Sequence, residues 1–334
     1  MQRAVGLALC LGICCLWLWA AAETQVVLTL GGDCVLGTRE EWKQDPDTLD
    51  TLVAGKGFGW CFEKIGEVFR QDDMSLVNLE CVLQDSAKGL DRKKQYRFRG
   101  CTGYTDILTC AGIEQVNLAN NHIVDYGSRG RKSTRTALQN AGIAFSGYGD
   151  LYVFEKNGIK IGFGGCRETA YRQNRSVVAK EIQKLKKLGC DAIVYSMHWG
   201  EEYSPKHSRM QEIMAQAAVK AGADLVVGTH PHCVQGMEHR DGAVVLYSLG
   251  NLAFGGTHKM TTFDALVVQA TLRFGEAGYE GVQIKLLPVL TSGDIPQNNF
   301  QPVWAQGEDK ERILKLVQKD SGMKIEETMF FGAQ

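Results

Sequence analysis

Residues 224 to 232 read Asp-Leu-Val-Val-Gly-Thr-His-Pro-His. Side chains two positions apart share a face when the backbone is extended. Pro231 pushes the residue before it out of the helical region. His230 and His232 are therefore expected to form a stiff two-imidazole clamp at a strand end, and imidazole is the commonest metal ligand. Read alone, the stretch is more simply a turn that happens to hold two histidines. Four other polar clusters also follow apolar runs: Asp33 after Gly31-Gly32, Glu80 after Asn78-Leu79, Asn121-His122 after Ala119-Asn120, and His198 before Trp199-Gly200. If these trailing ends converge, carboxylates, an amide and imidazoles form a mixed oxygen and nitrogen set. Such a set suits one or two borderline divalent ions, Mn²⁺, Zn²⁺ or Fe²⁺, rather than Ca²⁺ or Mg²⁺ alone.

Each residue also has a plainer reading. Asp33 can be a turn residue, Glu80 a solvated carboxylate, and Asn120 and Asn121 turn formers. His122 can be a hydrogen-bonded structural histidine. Asp125 reads as the N-cap of the helix that follows. Arg97 and Arg99 alternate and share a face, which meets either an anionic substrate or solvent. Trp199 reads as packing, and His207, His239 and His258 as surface. Ser248 has no Gly-x-Ser-x-Gly elbow to make it a nucleophile.

The elements that must position these groups are legible as periodicity. Strands are expected at Gln25 to Leu30, Met74 to Leu79, Ile113 to Leu118, Ala192 to Met197 and Leu225 to Val227. Helices are expected at Phe58 to Arg70, Thr105 to Ala111, Ser128 to Ala141, Val177 to Leu188, Ser208 to Ala221 and Asp309 to Leu316. Lys88 to Arg99 is charged and reads as a surface loop. Asn157-Gly158 and Asp241-Gly242 suit tight primed turns, so hairpins are expected around both. Longer alternating runs span Ala265 to Phe274 and Gly281 to Leu290. Strands alternating with helices, then hairpins, argue for an α/β fold with mixed sheets. Open α/β sheets place their sites at trailing strand ends, where the clusters fall.

The chain has 334 residues, with 37 Lys and Arg against 38 Asp and Glu. This balance implies no nucleic-acid partner. Hydrophobic residues make up 44%, enough for an ordinary core. Arg3, the apolar stretch Ala4 to Trp19 and Ala20-Ala21-Ala22 read as a signal peptide over residues 1–22. An uncleaved membrane anchor is the alternative. Export to the periplasm, the exterior or the cell surface follows from either. Beyond the leader lie Cys34, Cys61, Cys81, Cys101, Cys110, Cys166, Cys190 and Cys233. Export permits disulfides, but several of these cysteines sit in apolar runs as small hydrophobes. One or two bridges at most are expected.

The ordered motifs resemble those of the capsule synthesis CapA/PgsA family, within the calcineurin-like metallophosphoesterase superfamily. They are Gly32-Asp33, Asn78-Leu79-Glu80, Tyr96-Arg97-Phe98-Arg99, Ala119-Asn120-Asn121-His122 with Asp125-Tyr126-Gly127, His198-Trp199-Gly200-Glu201, Gly228-Thr229-His230-Pro231-His232 and Tyr247-Ser248-Leu249-Gly250-Asn251. The resemblance implies a four-layer αββα metallophosphatase-like sandwich over residues 25–295, with 296–334 as an extension packed on it. It implies Asp33, Glu80, Asn121, His198, His230 and His232 as metal ligands and His122 as a proton donor beside them. Arg97, Arg99, Glu201 and Asn251 are carried over as substrate contacts. Two positions depart from the superfamily. Val35 stands where it has a histidine, and Glu80 where it usually has an aspartate. The centre then holds one ion, binds a second weakly, or has lost hydrolytic power.

The implied function is synthesis, export or attachment of an anionic cell-surface polymer, poly-γ-glutamate by family, beside a membrane synthase. The alternatives are a secreted metal-dependent hydrolase of a phosphoester or amide-linked polymer, and a non-catalytic polymer-binding partner of the synthase.

Overall fold

The computed structural model describes residues 24–333, so the leader read over residues 1–22 lies outside the described residues. The first strand, Thr24–Val35, is longer than its apolar run and continues through Gly31-Gly32-Asp33. Val26, Leu28 and Leu30 alternate onto one face, as period-two patterning requires. Met74–Leu79 pairs with it in parallel, and Gln115–Asn117 and Ala144–Ser146 extend the sheet in the same sense. On its other side lies the antiparallel pair Asp264–Gly275 and Gly278–Leu290, the two long alternating runs. Asn251–Phe254 adds a short parallel pairing, with Asn251 opposite Asp33.

A second sheet holds Ile159–Arg167, Ala192–His198, Leu225–Thr229 and Ala243–Leu246 in parallel. Tyr152–Lys156 and Met237–Arg240 flank them as antiparallel hairpin partners. Both hairpin turns need left-handed backbone. Asn157 and Gly158 have φ of 52° and 81°, and Asp241 and Gly242 have 48° and 78°. These are the primed-turn conformations that Asn-Gly and Asp-Gly favour.

The apolar faces of the sheets explain how they stack. One core joins Leu28 and Val268 of the first sheet to Phe163, Val194 and Val227 of the second. A second core covers the other face of the first sheet with Ile107, Leu108 and Leu138 from helices Thr105–Ala111 and Gly127–Asn140. A third covers the other face of the second sheet with Ile182 and Met214 from helices Val177–Lys187 and Arg209–Ala221. The helix Gly307–Ser321 buries Ile313 and Val317 against the inter-sheet core, and the strand Thr328–Gly332 pairs with Gly278–Leu290. Among the described residues no helix is long and apolar enough to cross a membrane.

Three local expectations change. Phe58 to Arg70 is not one helix but a 3₁₀ turn, Phe58–Phe62, and a short helix, Glu67–Arg70. Gly59 and Gly66 lower its helix propensity, and Trp60 donates to the Asn299 carbonyl at 3.0 Å. The charged stretch Lys88 to Arg99 ends in a strand, Phe98–Gly100, paired with Val82–Leu83 and Thr38–Arg39. Every cysteine among the described residues is a free thiol. Cys34, Cys61 and Cys81 pack in the apolar core as small hydrophobes.

Candidate metal centre

Parallel strands from both sheets end in one place, and the polar clusters meet there. Gly32 is required because a Cβ would stand 1.9 Å from the Gly250 carbonyl oxygen. That close approach lets the Asp33 N–H donate to the same oxygen at 2.9 Å. The Asp33 carboxylate is wholly buried. Its Oδ1 accepts from the Asn78 amide at 2.7 Å and its Oδ2 from the His230 N–H at 3.0 Å. Asn78 is fixed in turn by the Asn117 and Asn120 amides, which donate to its oxygen at 2.9 and 3.2 Å.

Glu80 follows the strand Met74–Leu79 and is also wholly buried. Neither of its carboxylate oxygens has a hydrogen-bond partner. His198 Nε2 lies 3.4 Å from one oxygen and His232 Nδ1 4.0 Å from the other. His198 Nε2 also meets the Asn121 amide oxygen at 2.7 Å, while its Nδ1 faces the Thr229 hydroxyl at 3.1 Å. His232 Nδ1 meets the Asn251 amide oxygen at 2.8 Å and lies 3.4 Å from Asp33 Oδ2. His230 Nδ1 is buried and unpartnered.

The backbone of the histidine pair differs from the extended expectation. His230 has φ of 97° and His232 of 55°. The chain turns sharply after Thr229 so that the His230 N–H can reach Asp33. Left-handed conformations at non-glycine residues cost about 1–3 kcal/mol each and persist where surrounding structure demands them. The two rings nonetheless face one region, with centroids 5.9 Å apart, and His198 and His230 are 4.5 Å apart.

Three overlapping groups could therefore hold a cation: Glu80, His198 and His230; Asp33, Glu80 and His232; Glu202, His230 and His232. In each, the donor atoms lie within 4.8 Å of one another. Electrostatics agree with a site built for positive charge. Burial, and then the Asp33 charge, push the Glu80 carboxyl well above its usual range. Burial and the neighbouring His230 hold His198 well below the ordinary imidazole value. Burial would also lower His232, but the Glu80 and Asp33 carboxylates outweigh it and push it up. Like charges crowd together here, Glu80 against Asp33 and His198 against His230, and the Glu80 and Asp33 carboxylates draw positive charge toward His232. Val35 is buried in the apolar core and contributes no donor.

His122 stands beside the centre, its Nδ1 2.7 Å from Asp125 Oδ2. Asp125 is not the helix N-cap, a position Tyr126 takes. Its buried carboxylate is wanted elsewhere: it also accepts from the Phe98 N–H at 2.9 Å and from Lys94 Nζ at 2.6 Å. It fixes the His122 ring, a role signalled only by their i, i+3 spacing.

Three expected substrate contacts belong to none of the donor groups. Arg97 pairs with Glu41. Arg99 donates to Glu40 through Nε at 2.9 Å and Nη2 at 3.0 Å, and through Nη1 to the Gln84 carbonyl at 2.9 Å. The shared face was legible, but the acidic pair Glu40-Glu41 opposite it was not. Glu201 is exposed and belongs to none of the donor groups, and Glu202 approaches the histidines in its place. Asn251, by contrast, is buried at the centre and bound to His232. Asn78, Asp125 and Glu202 are residues that sequence reasoning missed. His207, expected at the surface, is half-buried, stacked on Tyr247 with centroids 3.9 Å apart and bonded to Asp320 at 2.9 Å.

The family model described as "Bacterial capsule synthesis protein PGA_cap" matches residues 27–256. The chain belongs to that family. The match encloses every donor named above. Among relatives, the chain is 28% identical over 324 residues to the capsule biosynthesis protein CapA of Bacillus anthracis, covering 89% of this chain and 74% of that protein. It is 27% identical over 335 residues to the PGA biosynthesis protein CapA of Bacillus subtilis, covering 93% and 86%. A probable polyglutamine synthesis accessory protein of Mycobacterium tuberculosis is 28% identical over 211 residues, covering 54% and 55%. A crystal structure of a hypothetical protein from Thermus thermophilus superposes with a TM-score of 0.46 at 15% identity, covering 79% of this chain and 99% of that one.

Proposed function

We propose that this PGA_cap family member is exported and acts in synthesis, export or attachment of an anionic cell-surface polymer, poly-γ-glutamate by family, using a divalent cation at the strand ends. The fold in this reading is a four-layer αββα sandwich of the metallophosphatase kind over residues 25–295, with 296–334 packed on it. Asp33, Glu80, Asn121, His198, His230 and His232 hold one or two ions, with Mn²⁺, Zn²⁺ or Fe²⁺ suited to the donor set. The observation that carries the reading is Glu80: two buried carboxylate oxygens with no hydrogen-bond partner, facing imidazoles inside the matched stretch. Unpaired buried carboxylates are costly, and a cation removes that cost.

When bound, such an ion lowers the pKa of a coordinated water or polarises a substrate oxygen. The chain's own residues do the rest. Asp33 and Asn78 lock the first strand end. Asp125 holds Nδ1 of His122, which leaves Nε2 to pass a proton to a leaving group.

The direct test uses a poly-γ-glutamate-producing host whose own family member is deleted. Expressing the full chain is expected to restore surface polymer, and the Glu80→Gln variant is not. Equal polymer with and without the chain counts against the reading. A second reading, a metal-dependent hydrolase of phosphoesters or amide-linked polymer, is favoured by the His122 and Asp125 pair. It requires turnover of a generic phosphoester or of the polymer that disappears in both His122→Ala and His230→Ala.

A further inference from the structure

Beside the donor cluster lies a cleft of about 290 Å³, at the small end of ligand clefts. His122 and His232 line it on the donor side, and Arg39, Tyr96, Tyr203 and Lys259 elsewhere. Arg39 is the arginine that lines the cleft, and it differs from Arg97 and Arg99, which do not. Arg97 and Arg99 are neutralised by Glu41 and Glu40. Arg39 is half-buried, and no carboxylate pairs with it among the described residues. Its guanidinium carbon lies 4.1 Å from the Trp42 ring centroid and 4.3 Å from that of Tyr96. Its Nε donates to the Gly256 carbonyl at 3.1 Å. Two rings and one hydrogen bond therefore fix the plane of the guanidinium, while its terminal nitrogens have no carboxylate to bind. A pre-oriented fork of this kind matches a carboxylate or phosphate edge. A partly desolvated cation without a counter-ion is unfavourable until an anion arrives.

The geometry points to Arg39 as the residue that grips the anionic group of the substrate in this cleft, with exposed Lys259 as a second, looser cation. This rests on the reading of the neighbouring donors as a cation centre acting on an anionic polymer. Glu202, which shares the cleft, has its carboxylate within 4.8 Å of His230 and His232 donor atoms, so its charge belongs to the donor side. The grip is for a free α-carboxylate of a short stretch of the γ-linked polymer, held while an adjoining amide bond faces the centre. A phosphoester would offer the same anionic edge, and the probes below separate the two.

The test titrates the purified full chain, loaded with Mn²⁺, with short poly-γ-glutamate, with its carboxyl-methylated neutral counterpart, and with inorganic phosphate. The polymer is expected to bind and its neutral counterpart is not. Arg39→Gln should weaken polymer binding by about tenfold or more, the loss expected for a charged bidentate contact. Arg39→Lys keeps the charge but loses the fork, and should recover only part of the affinity. Lys259→Gln should cost a few-fold, and Lys220→Gln on a distant helix nothing. Manganese content and melting temperature are read for every variant.

If phosphate alone binds, and through Arg39, the grip stands and its ligand is a phosphoester. Equal polymer affinity in wild type, Arg39→Gln and Arg39→Lys overturns the grip and leaves the proposed function standing. Arg39-dependent polymer binding in a chain that takes up no divalent ion sinks the metal reading instead. If wild type binds neither anion, the grip is overturned.

Discussion

Replacing Glu80 by Met separates a residue that holds a cation from one that holds the fold. The two side chains are similar in size, so packing changes little. In the cation-free chain, the Glu80 oxygens are buried and unpartnered, with His198 Nε2 at 3.4 Å and His232 Nδ1 at 4.0 Å as neighbours. Asp33 remains 3.4 Å from His232 Nδ1 after the substitution. Leaving a buried polar group unsatisfied costs about 1–3 kcal/mol. Glu80→Met should therefore be more stable than wild type by about that much when cations are chelated. For a domain of this size that is about 2–6 °C in Tm. Adding a divalent ion at 100 times its Kd should stabilise wild type by about 2.7 kcal/mol, or about 5 °C, and leave Glu80→Met nearly unmoved. Differential scanning calorimetry with chelator and with Mn²⁺ reads both numbers. A cation-free Glu80→Met that melts several degrees below wild type would refute the reasoning, because Glu80 would then be supporting the fold.

The remaining predictions concern residues outside the centre. His207 is half-buried against Tyr247. Burial alone would lower its pKa, but the hydrogen bond to Asp320 and the charges of Asp320 and Glu212 raise it. A raised folded value means this stability is fully present below the unfolded pKa of about 6.5 and is lost as pH rises through the folded value. The Tm gap between wild type and His207→Gln should accordingly be widest near about pH 6 and narrow in alkali; a gap that widens with pH contradicts the assignment. Arg99→Ala should lower stability by about 2 kcal/mol, because it strips Glu40 of a two-point partner. Its metal content and polymer affinity should match wild type, and a selective loss of binding would return Arg99 to the substrate.

The strand ends were readable because apolar runs stop abruptly at polar residues. Asp33, Glu80, His198 and His230 each follow such a run, and their meeting reflects parallel strands of two sheets ending on one side. The conformation of the His-x-His pair was not readable. Spacing and Pro231 favour extended backbone, yet the contact of the His230 N–H with Asp33, 197 positions away in sequence, imposes a left-handed turn. Asp125 looked like a cap because local rules concern neighbours, whereas its partners include Lys94 and the strand residue Phe98, about thirty positions earlier in the chain.

The same division runs through the arginines. Sequence alone determined that Arg97 and Arg99 share a face; it did not single out Arg39. Only tertiary structure decided which charge is left over, by setting Glu40 and Glu41 against the first two and aromatic rings against the third. Periodicity is a property of one segment and survives in the sequence. The pairing of charges and the assembly of a donor set depend on segments up to two hundred positions apart, and only the packed chain brings those together.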